Sequence, residues 1–529
     1  MANRFTLLFA VFLTAASTYS QSLKKRIDHT TYNEWNSISS EQISNTGNRI
    51  TYQTNKIAGD SKLHIVDNEG GKARIIERGS NATISADGNV VAFKIKQPFD
   101  TIRQLKIKKE KKDKWPKDSL GVWVNGRDSL VLFDQLKSFQ MASDGSSWMF
   151  IQFDDERFKK EEKPKKKCFL RRKKEEKPPK IDEKGKSAII YNAESGTTVE
   201  IEKANYGHVS PKGRWVTYVR NFTVADSLDT ASIFLYDTKT GNLDRIYHEM
   251  GTAGNFFFDE EETQFGFLAT TDTSEVKVYT VYHYKEGKIS TPIQADWLRE
   301  GWVVNEHHDP FFAKNGSKLF VYSYPKPKEE PDDTIPDDEK AKLDVWNYRD
   351  GKLQPQQLLS AERDKKKGYL AVWNIAKNNF VNIDDPELKL RAWPKMDGDG
   401  RYALGSTQKP HEHLMSWYGW FFDYYRVDLE TGDRKLLASK AQYEADLSPD
   451  GAWFVYFSQA DTSWHSVNCG TGEDKTITKY IPYRFDDEDD DHPMDPNPYA
   501  IGGWTKNGDV LLYDKYDGWL INLNGEVPP

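Results

Sequence analysis

The sequence predicts an all-β fold, a β-propeller assembled from four-stranded antiparallel blades. A tight turn followed by a strand recurs along the 529 residues, a second hairpin follows most copies, and no long amphipathic helical pattern occurs. The clearest copy runs from Leu447 to Phe457. In its turn, SPDG at 448–451, proline presets the first dihedral, aspartate bonds its own backbone, and glycine accepts a positive φ. The aromatic and β-branched residues that follow suit a pleated, half-buried strand.

Nine copies of the first turn organise the chain. They occupy residues 44–47, 85–88, 143–145, 210–213, 259–262, 314–316, 397–400, 448–451 and 506–508. Second hairpins turn at 69–70, 194–196, 239–241, 286–287, 350–351, 430–432 and 524–525, and a strand at 345–348 is predicted before the fifth of these. Two hairpins per unit make a four-stranded sheet, and such units at this period are typical of a β-propeller. We expect about eight blades, with a last blade left incomplete at the C-terminus as the alternative.

The length and composition fit a repeat. A chain of 529 residues would otherwise divide into three or four separate domains, whereas repeats bury their faces on their neighbours. Aromatic residues make up 13% of the chain, including 16 tryptophans, which is enough to fill a large core. The net charge of −7 is small for this length, so nucleic acid is not expected as the main partner.

The N-terminus has the pattern of a secretory signal peptide at 1–20. Arg4 precedes an apolar run at 5–16, and the small residues Thr18 and Ser20 stand at −3 and −1 of the cleavage site that this pattern predicts. The run is short for a membrane span, although an uncleaved anchor is the alternative. We therefore expect export to the periplasm or the extracellular space, with no membrane span and a mature chain that starts near Gln21.

The two cysteines, Cys168 and Cys469, are too few and too far apart in sequence to form a disulfide framework. Three charged insertions interrupt the predicted propeller at 21–529. They lie at about 105–118, 154–187 and 325–342. The basic runs could contact an anionic surface, but interleaved glutamates and the predicted export favour solvated loops.

The densest polar cluster is the run 486–492 (DDEDDDH), which begins at Asp486 and ends at His492. Carboxylates are the ligands that calcium prefers, but the run lacks the spacing of a calcium loop, so a solvated loop is the favoured interpretation. Two histidine groups raise a second metal question. These are His307-His308-Asp309 and His411-Glu412-His413. On a strand, the two histidines of the second group would share a face, but no third ligand follows and the HExxH motif fails because Met415 replaces the second histidine.

A serine nucleophile has no recognisable setting. The pentapeptide G-x-S-x-G is absent, and Ser195, Ser317 and Ser406, which all adjoin glycines, are assigned to hairpin turns. Phosphate-binding and dinucleotide-binding glycine motifs are absent as well. The residues alone therefore assign no catalytic, cofactor-binding or metal-binding position, and no cofactor is expected.

Several segments together resemble a known family. The most specific lies at 486–517, where the acidic run leads to DHP at 491–493, PNPY at 496–499, GWT at 503–505 and LYDKYD at 512–517. The stretches 416–432 and 32–35 (YNEW) fit as well. With the repeated turns, these segments resemble the N-terminal propeller of the prolyl oligopeptidase family of serine peptidases, closest to the secreted dipeptidyl and acylaminoacyl peptidases. The resemblance covers essentially all of the mature chain.

The resemblance implies a propeller that caps an α/β-hydrolase domain and admits short peptides to a Ser-Asp-His triad. This sequence contains no such domain, so no triad residue is carried over. We expect a non-catalytic, gating and substrate-selecting part of an exported peptidase, with peptide substrates as partners only when it is joined to a hydrolase domain. One alternative is a standalone periplasmic TolB-like propeller with a protein partner. Another is a channel-based glycosidase or lyase, which would need converging carboxylates.

Overall fold

A computed structural model describes residues 27–523 except 30, 72, 159–180, 225–227, 330–334, 337, 342 and 443. Several sequence-based predictions lie outside the described residues. These are the signal peptide at 1–20, Cys168, most of the insertion at 154–187, and the hairpin turn at 524–525.

The first two sheets follow one another along the chain, each as a four-stranded antiparallel meander. Their strands are β1 (Asn36–Ile43), β2 (Arg49–Lys56), β3 (Lys62–Asp67), β4 (Arg74–Glu77), β5 (Gly79–Ile84), β6 (Val90–Ile95), β7 (Ser119–Val124) and β8 (Val131–Phe133). Helix α1 (Phe99–Ile107) and a 3-10 helix (Lys112–Lys114) lie between β6 and β7. The insertion predicted at 105–118 therefore belongs to a connection that spans 96–118 and begins with a helix.

The next strands form two sheets. They are β9 (Leu136–Met141), β10 (Trp148–Phe153), β11 (Ile181–Glu183), β12 (Lys186–Asn192), β13 (Thr198–Ala204), β14 (Tyr206–Val209), β15 (Trp215–Val224), β16 (Leu228–Asp237) and β17 (Leu243–Met250). The third sheet has the order β9-β10-β12-β13. In the fourth sheet, β11 and β14 both pair with β15, so two separate segments share the place of one first strand.

The fifth and sixth sheets contain the longest insertion. Their strands are β18 (Thr252–Phe258), β19 (Gln264–Thr270), β20 (Thr280–Lys285), β21 (Lys288–Ser290), β22 (Trp302–Val304), β23 (Phe311–Phe312), β24 (Lys318–Pro325), β25 (Tyr369–Asn374) and β26 (Asn379–Asn382). Both β22 and β23 pair with β24. Helix α2 (Gln354–Lys365) lies in the connection between β24 and β25, at 326–368, which extends well past the predicted 325–342.

The last three sheets complete the described chain. Their strands are β27 (Arg391–Pro394), β28 (Tyr402–Thr407), β29 (Phe422–Asp428), β30 (Arg434–Ala441), β31 (Ala445–Leu447), β32 (Trp453–Ser458), β33 (Ser463–Asn468), β34 (Asp474–Thr476), β35 (Ile501–Trp504), β36 (Val510–Tyr513) and β37 (Gly518–Ile521). The described residues contain four more 3-10 helices, at Tyr32–Glu34, Ala295–Trp297, Met396–Gly398 and Lys409–Leu414. Within the described residues the ninth sheet has three strands.

The all-β class and the repeat of four-stranded antiparallel units are confirmed. Each of the nine predicted first turns joins the first and second strands of one sheet, so the nine turns correspond to nine sheets, against the expected count of about eight. The strand predicted at 345–348 is wrong. Trp346 and Tyr348 lie in the long connection, 65% and 88% exposed, and the third strand of that sheet is β25. A segment rich in aromatic residues forms a strand only where the edge of a neighbouring strand is open for pairing.

The chain divides into two units, 1–158 with 187–200, and 159–186 with 201–529. The first unit contains the first three sheets, and the unit boundaries fall at the start of β12 and within β13. Within this unit, buried apolar clusters lie between the first and second sheets and between the second and third. The second unit contains the other sheets, and five such clusters lie between successive pairs of them. Within each unit, consecutive sheets thus pack face to face, as blades of a propeller do.

The first turn is closed by side-chain hydrogen bonds as well as by its backbone. In the eighth sheet, the Ser448 hydroxyl donates to Asp450 Oδ1 at 2.7 Å and accepts the Trp453 amide at 2.9 Å. The Gly451 amide donates to the Ser448 carbonyl at 2.9 Å, and Gly451 has φ of +71°. Ser448 is 1% exposed, so its hydroxyl belongs to the core of the turn. This polar arrangement is structural.

The same amide-to-hydroxyl bond recurs in other sheets, always five residues after the serine. It measures 3.1 Å for Arg49 to Ser44, 2.9 Å for Val90 to Ser85 and 2.9 Å for Trp215 to Ser210. In the degenerate fifth copy, the Asp259 carboxylate replaces the hydroxyl and accepts the Gln264 amide at 3.0 Å. The turn chemistry therefore survives the loss of its serine.

Side chains at this fifth position also reach the next sheet. Arg49, Gln264 and Lys318 each begin a second strand, and each donates to the carbonyl of the residue at the next turn's glycine position. The distances are 3.3 Å for Arg49 Nε to Gly88, 2.8 Å for Gln264 Nε2 to Gly316, and 3.1 Å for Lys318 Nζ to Gly398. Each donor and its acceptor lie in the same unit. These contacts tie successive turns together at one end of the sheets.

None of the helices in the described ranges is long and apolar enough to cross a bilayer. Cys469 carries a free thiol with no exposed surface, and burial raises the pKa of this thiol to about 11. It therefore packs as a small apolar group.

Two glycines of the eighth sheet allow the cost of backbone strain to be measured separately from the cost of steric crowding. A Cβ on Gly451 would lie 2.2 Å from Tyr402 Cδ2, whereas Gly472, at φ of +82°, has nothing within 4 Å. Gly472→Ala should lower the free energy of unfolding by about 1 kcal/mol, the cost of the left-handed backbone alone. Gly451→Ala should lower it by about 2 kcal/mol more, because the Tyr402 ring must move. Urea denaturation of both variants measures this difference. Equal losses of stability would contradict the contact between Gly451 in the eighth sheet and Tyr402 in the seventh.

Lys318 offers a second stability test. It is 8% exposed, and its ammonium donates to the carbonyls of Gly398, Asp399 and Gly400 at 3.1, 2.9 and 3.2 Å. Lys318→Met should cost about 3 kcal/mol, because charged hydrogen bonds are lost and buried carbonyls are left without donors. Lys314→Met is the control, since Lys314 makes only an exposed ion pair 3.6 Å from Asp397, and should change stability by less than about 0.5 kcal/mol. Equal denaturation midpoints for the two variants would refute the role of Lys318.

Candidate functional site

The described surface of the second unit contains an aromatic groove between two connections. One connection, 415–420 (MSWYGW), follows the 3-10 helix that begins with Lys409-Pro410 and leads into β29. Its side chains Trp417, Tyr418 and Trp420 are 75%, 64% and 56% exposed. Large aromatic side chains are seldom left so open in a cluster unless they bind something. This connection forms one wall of the groove.

The other wall belongs to the acidic connection between β34 and β35. At its base, the Arg484 guanidinium binds both carboxylate oxygens of Asp486, whose carboxylate is buried. The Asp487 amide donates to the Asn497 carbonyl at 2.8 Å, and the Tyr499 amide donates to the Phe485 carbonyl at 2.7 Å. These bonds close 485–499 into a fixed loop, with Asp486 inside it and not in solvent as the sequence suggested.

The tip of this loop carries the remaining carboxylates. His492 Nδ1 lies 2.5 Å from Asp490 Oδ1, and the amide and ring of His492 hold the pKa of Asp490 below its usual range. The Lys515 ammonium donates to Asp489 at 2.9 Å, and this bond raises the pKa of Lys515. The loop is therefore an ordered acidic surface with only part of its charge compensated.

Between these walls lies a groove of about 680 Å³. Trp417, Tyr418 and Trp420 line one side, and Pro493 and Met494 line the other, with His492 and Asp495 at the acidic end. The volume falls within the roughly 300–1,000 Å³ of ligand sites, which are mostly apolar with a few polar groups. Its chemistry suits recognition of a ligand by stacking and charge.

A larger cavity, of about 750 Å³, lies beside α2. Some of its polar groups bind one another, since Lys389 donates to Glu412 at 2.9 Å and the Ser360 hydroxyl donates to Asp364 at 2.6 Å. This cavity lacks the cluster of exposed tryptophan and tyrosine rings that lines the aromatic groove.

The acidic cluster brings three possible metal ligands together. One ligand atom each from Asp490, Asp491 and His492 lies within 4.8 Å of the others. The ring of His492 is already bound to Asp490, and Asp491 and His492 are exposed. The sequence-based preference for a solvated loop over a calcium site stays a prediction for this tip.

The first histidine group is not brought together by the structure. His307 and His308 lie on the connection between β22 and β23. His307 Nε2 is 3.7 Å from Glu306, the His308 ring packs 4.9 Å from that of Tyr322, and Asp309 accepts the Asn255 side chain at 2.9 Å. Each member faces a different neighbour, so the group does not form a common metal site.

The second histidine group lies in the 3-10 helix Lys409–Leu414 and not in a strand, so the expectation of a shared face is wrong. His411 Nε2 contacts Asp423 at 2.8 Å, while His413 is exposed. Burial raises the pKa of Asp423, but hydrogen bonds from His411, Ser439 and the Lys440 amide outweigh this, so its pKa lies below the usual range. The pair holds the start of the groove wall to β29.

The structure gives structural roles to the three serines that the sequence analysis assigned to turns, Ser195, Ser317 and Ser406. The Ser195 hydroxyl bonds Asn192 at 3.0 Å within a hairpin turn, and the Ser317 amide bonds Asn315 at 2.9 Å in another. Ser406 was assigned to a turn, which is wrong, because it lies buried within β28. A glycine next to a serine indicates a turn only when the two residues are not paired within a β-sheet.

A histidine that sequence reasoning missed lies between two carboxylates. His465 contacts Asp474 through Nδ1 and Asp461 through Nε2, both at 2.9 Å. Burial disfavours its charged form, but the two carboxylates outweigh burial and raise the pKa of His465. The two carboxylates thus favour the cationic form of the ring, which suits an ion-paired structural position.

The groove itself was also missed. The four residues 417–420 (WYGW) were noted for a family resemblance and not as a binding wall. The sequence did contain a signal for this wall. The residues follow Pro410 and a histidine-rich turn, and they do not alternate between apolar and polar side chains as a strand does. The partner wall lies about 75 residues further on and is brought close only by the packing of successive sheets.

No protein-family model and no curated protein matches the sequence. Similar solved structures include the β-propeller domain of the Trilobed protease from Pyrococcus furiosus, with 12% identity and a TM-score of 0.32 over 77% of this chain and 99% of that one. A prolyl endopeptidase has 11% identity and a TM-score of 0.35 over 80% and 54% of the two chains. The acylaminoacyl peptidase of Pyrococcus horikoshii has 12% identity and a TM-score of 0.32 over 84% and 59%.

These similar structures are of the peptidase kinds that the sequence resembles. The match spans between about half and three-fifths of the two whole peptidases. At these TM-scores, no property of those proteins is assigned to this chain.

The ion-paired His465 predicts a pH dependence of stability. A raised folded-state pKa means that the pairing stabilises the protein fully below the unfolded value of about 6.5 and is lost as the pH rises through the folded value. His465→Gln should therefore destabilise the chain more at pH 5.5 than at pH 9. His413→Gln, at an exposed position, should show no such trend. Urea denaturation midpoints at the two pH values test this, and a loss for His465→Gln that grows with pH would contradict it.

Proposed function

We propose that this chain is the non-catalytic, substrate-selecting propeller part of an exported serine peptidase, and that it selects by binding polypeptide. The observation that carries the proposal is the groove between 415–420 and 492–495, which presents exposed aromatic side chains and an acidic end. A surface of this kind recognises extended chains through ring stacking and charge.

The resemblance of the sequence to the prolyl oligopeptidase family supports the peptidase part of the proposal. Both walls of the groove fall in the segments that carry this resemblance, 416–432 and 486–517. The export part rests on the signal-peptide pattern at 1–20.

The chemistry of the described residues favours a non-catalytic role. Among the hydroxyl–histidine contacts in the described ranges, Ser232 meets His248 at 2.8 Å, but Ser232 is only 3% exposed. Thr476 lies 3.4 Å from His465 Nε2, but Asp461 takes the same nitrogen at 2.9 Å. A nucleophile needs an accessible oxygen and a histidine free to accept its proton, and neither of these two contacts provides both. In a third contact, Thr54 Oγ1 lies 3.0 Å from His64 Nε2, and this half-buried pair links β2 to β3.

A standalone TolB-like propeller that binds a protein partner is the second candidate, because the groove needs no hydrolase domain in order to bind a chain. The two candidates differ in what accompanies the propeller. Translation of the DNA that follows the codon of Pro529 separates them: a G-x-S-x-G motif followed by Asp and His favours the peptidase, and an unrelated gene favours the binding protein.

The purified chain should not hydrolyse a chromogenic dipeptide substrate that contains proline or alanine. The physical reason is that no described serine combines exposure with an activating histidine. The assay is run with and without a serine-directed fluorophosphonate, and trypsin-like contamination is monitored with an arginine substrate. Turnover that persists through purification and is blocked by the fluorophosphonate would refute the non-catalytic role.

A further inference from the structure

We propose that the groove binds an extended polypeptide segment in which lysine or arginine stands next to proline or aliphatic side chains. The inference deepens the proposed function and rests on it, because it takes polypeptide as the ligand class. It names the side chains that the groove selects.

The aromatic wall supplies the apolar part of this recognition. Trp417, Tyr418 and Trp420 are all more than half exposed, and Met494 on the facing wall is 55% exposed. Indole and phenol faces accept proline rings and aliphatic stems, and they attract cations through their π-systems. A thioether adapts to side chains of different shapes. The surface therefore suits a ligand with flat or aliphatic groups and a positive charge.

The acidic end supplies the charge preference. Residues 486–495 contain seven carboxylates, while Arg484 and Lys515 bring two full cations to this loop through Asp486 and Asp489. The acidic loop adjoins the aromatic rings, since His492 and Asp495 line the groove. Such a field attracts lysine and arginine and repels phosphate groups. It therefore disfavours nucleic acids and anionic lipids as ligands.

The acidic wall is formed before a ligand arrives. The amide and side-chain hydrogen bonds across 485–499 close the loop, and Pro493, Pro496 and Pro498 fix three of its backbone dihedrals. A preformed wall loses little conformational freedom on binding, which favours recognition of an extended segment. A proline-containing segment matches it, because such segments are already extended when free.

The test uses calorimetric titration of the full chain with three capped decapeptides. One alternates lysine, proline and leucine, the second carries acetyl-lysine at the same places, and the third carries glutamate. The lysine peptide should bind, the acetyl-lysine peptide should bind at least about tenfold more weakly, and the glutamate peptide should show no binding at the same concentrations. Equal binding of the lysine and acetyl-lysine peptides, or no binding of the lysine peptide, would overturn the inference.

Variants locate the binding. Trp417→Ala with Trp420→Ala, and separately Asp491→Asn with Asp495→Asn, should each weaken the lysine peptide by about tenfold. The matched controls are Trp346→Ala, at another exposed tryptophan, and Glu275→Gln with Asp296→Asn, at exposed carboxylates elsewhere. The controls should stay within about twofold of the parent chain, because they lie outside the groove. Equal losses in groove and control variants would place binding elsewhere and refute the inference.

The failure of this inference and the failure of the proposed function give different results. Binding of the acetyl-lysine peptide that is as tight as that of the lysine peptide, yet is lost in the tryptophan variants, overturns the charge preference and leaves a polypeptide-binding propeller. Fluorophosphonate-sensitive turnover by the purified chain overturns the non-catalytic role and leaves the charge preference measurable.

Discussion

The hydrogen bond from a strand amide to the first side chain of the preceding turn is the constraint on which the rest of this fold depends. In the eighth sheet the Trp453 amide meets the Ser448 hydroxyl at 2.9 Å, and the same bond begins the second strand of other sheets. It fixes where that strand starts, and therefore which residues face the neighbouring sheets, because a shift of one residue would reverse every side chain. The fifth sheet shows that the bond matters more than the serine, since Asp259 provides the same acceptor.

Register set in this way also determines the contacts between sheets. The side chain at the first position of a second strand points to the next turn, where Arg49, Gln264 and Lys318 find a carbonyl. Apolar clusters between consecutive sheets lie behind these polar contacts and provide most of the stabilisation through buried area. The polar contacts then specify how one sheet sits on the next.

Much of this architecture was predictable from sequence because it is local. A turn such as 448–451 depends on four residues whose conformational preferences are strong, and nine such turns give a period. The strand expected at 345–348 failed because its aromatic residues lie in a long connection, and β25 takes the open edge of β24 instead. Strand pairing is decided by competition for an edge, and composition cannot show that competition. Helix α1 was missed because its nine residues, four of them apolar and none buried, are too few to give a strong periodic signal.

The candidate site was harder to predict because its parts are distant in sequence. The aromatic residues at 417–420 and the acidic loop tip become one surface only after the seventh, eighth and ninth sheets have packed. The strand assumed for the second histidine group was wrong for a local reason. Residues 411–413 lie in a 3-10 helix that begins at Lys409, in which alternate residues do not share a face. The burial of Asp486 could not be predicted either, because the sequence of an acidic run does not show which of its carboxylates will be buried in an ion pair with an arginine.

The contact from one turn to the next has a consequence for how such a chain can grow. The Gly316 carbonyl, in the turn at 314–316, accepts a hydrogen bond from Gln264 of the preceding sheet. Lys318, which begins the strand after this turn, donates one to Gly398 in the turn of the next sheet. One repeat therefore carries both an acceptor for the sheet before it and a donor for the sheet after it. A repeat of this kind can pack against a copy of itself through the same turn-to-turn hydrogen bond. Duplication of one repeat inside a gene would produce a sheet that already fits both of its neighbours, and long loops could then be added at the free ends without disturbing this hydrogen bond. The number of sheets can thus change by whole units, while the connections are left free to diverge toward new ligands.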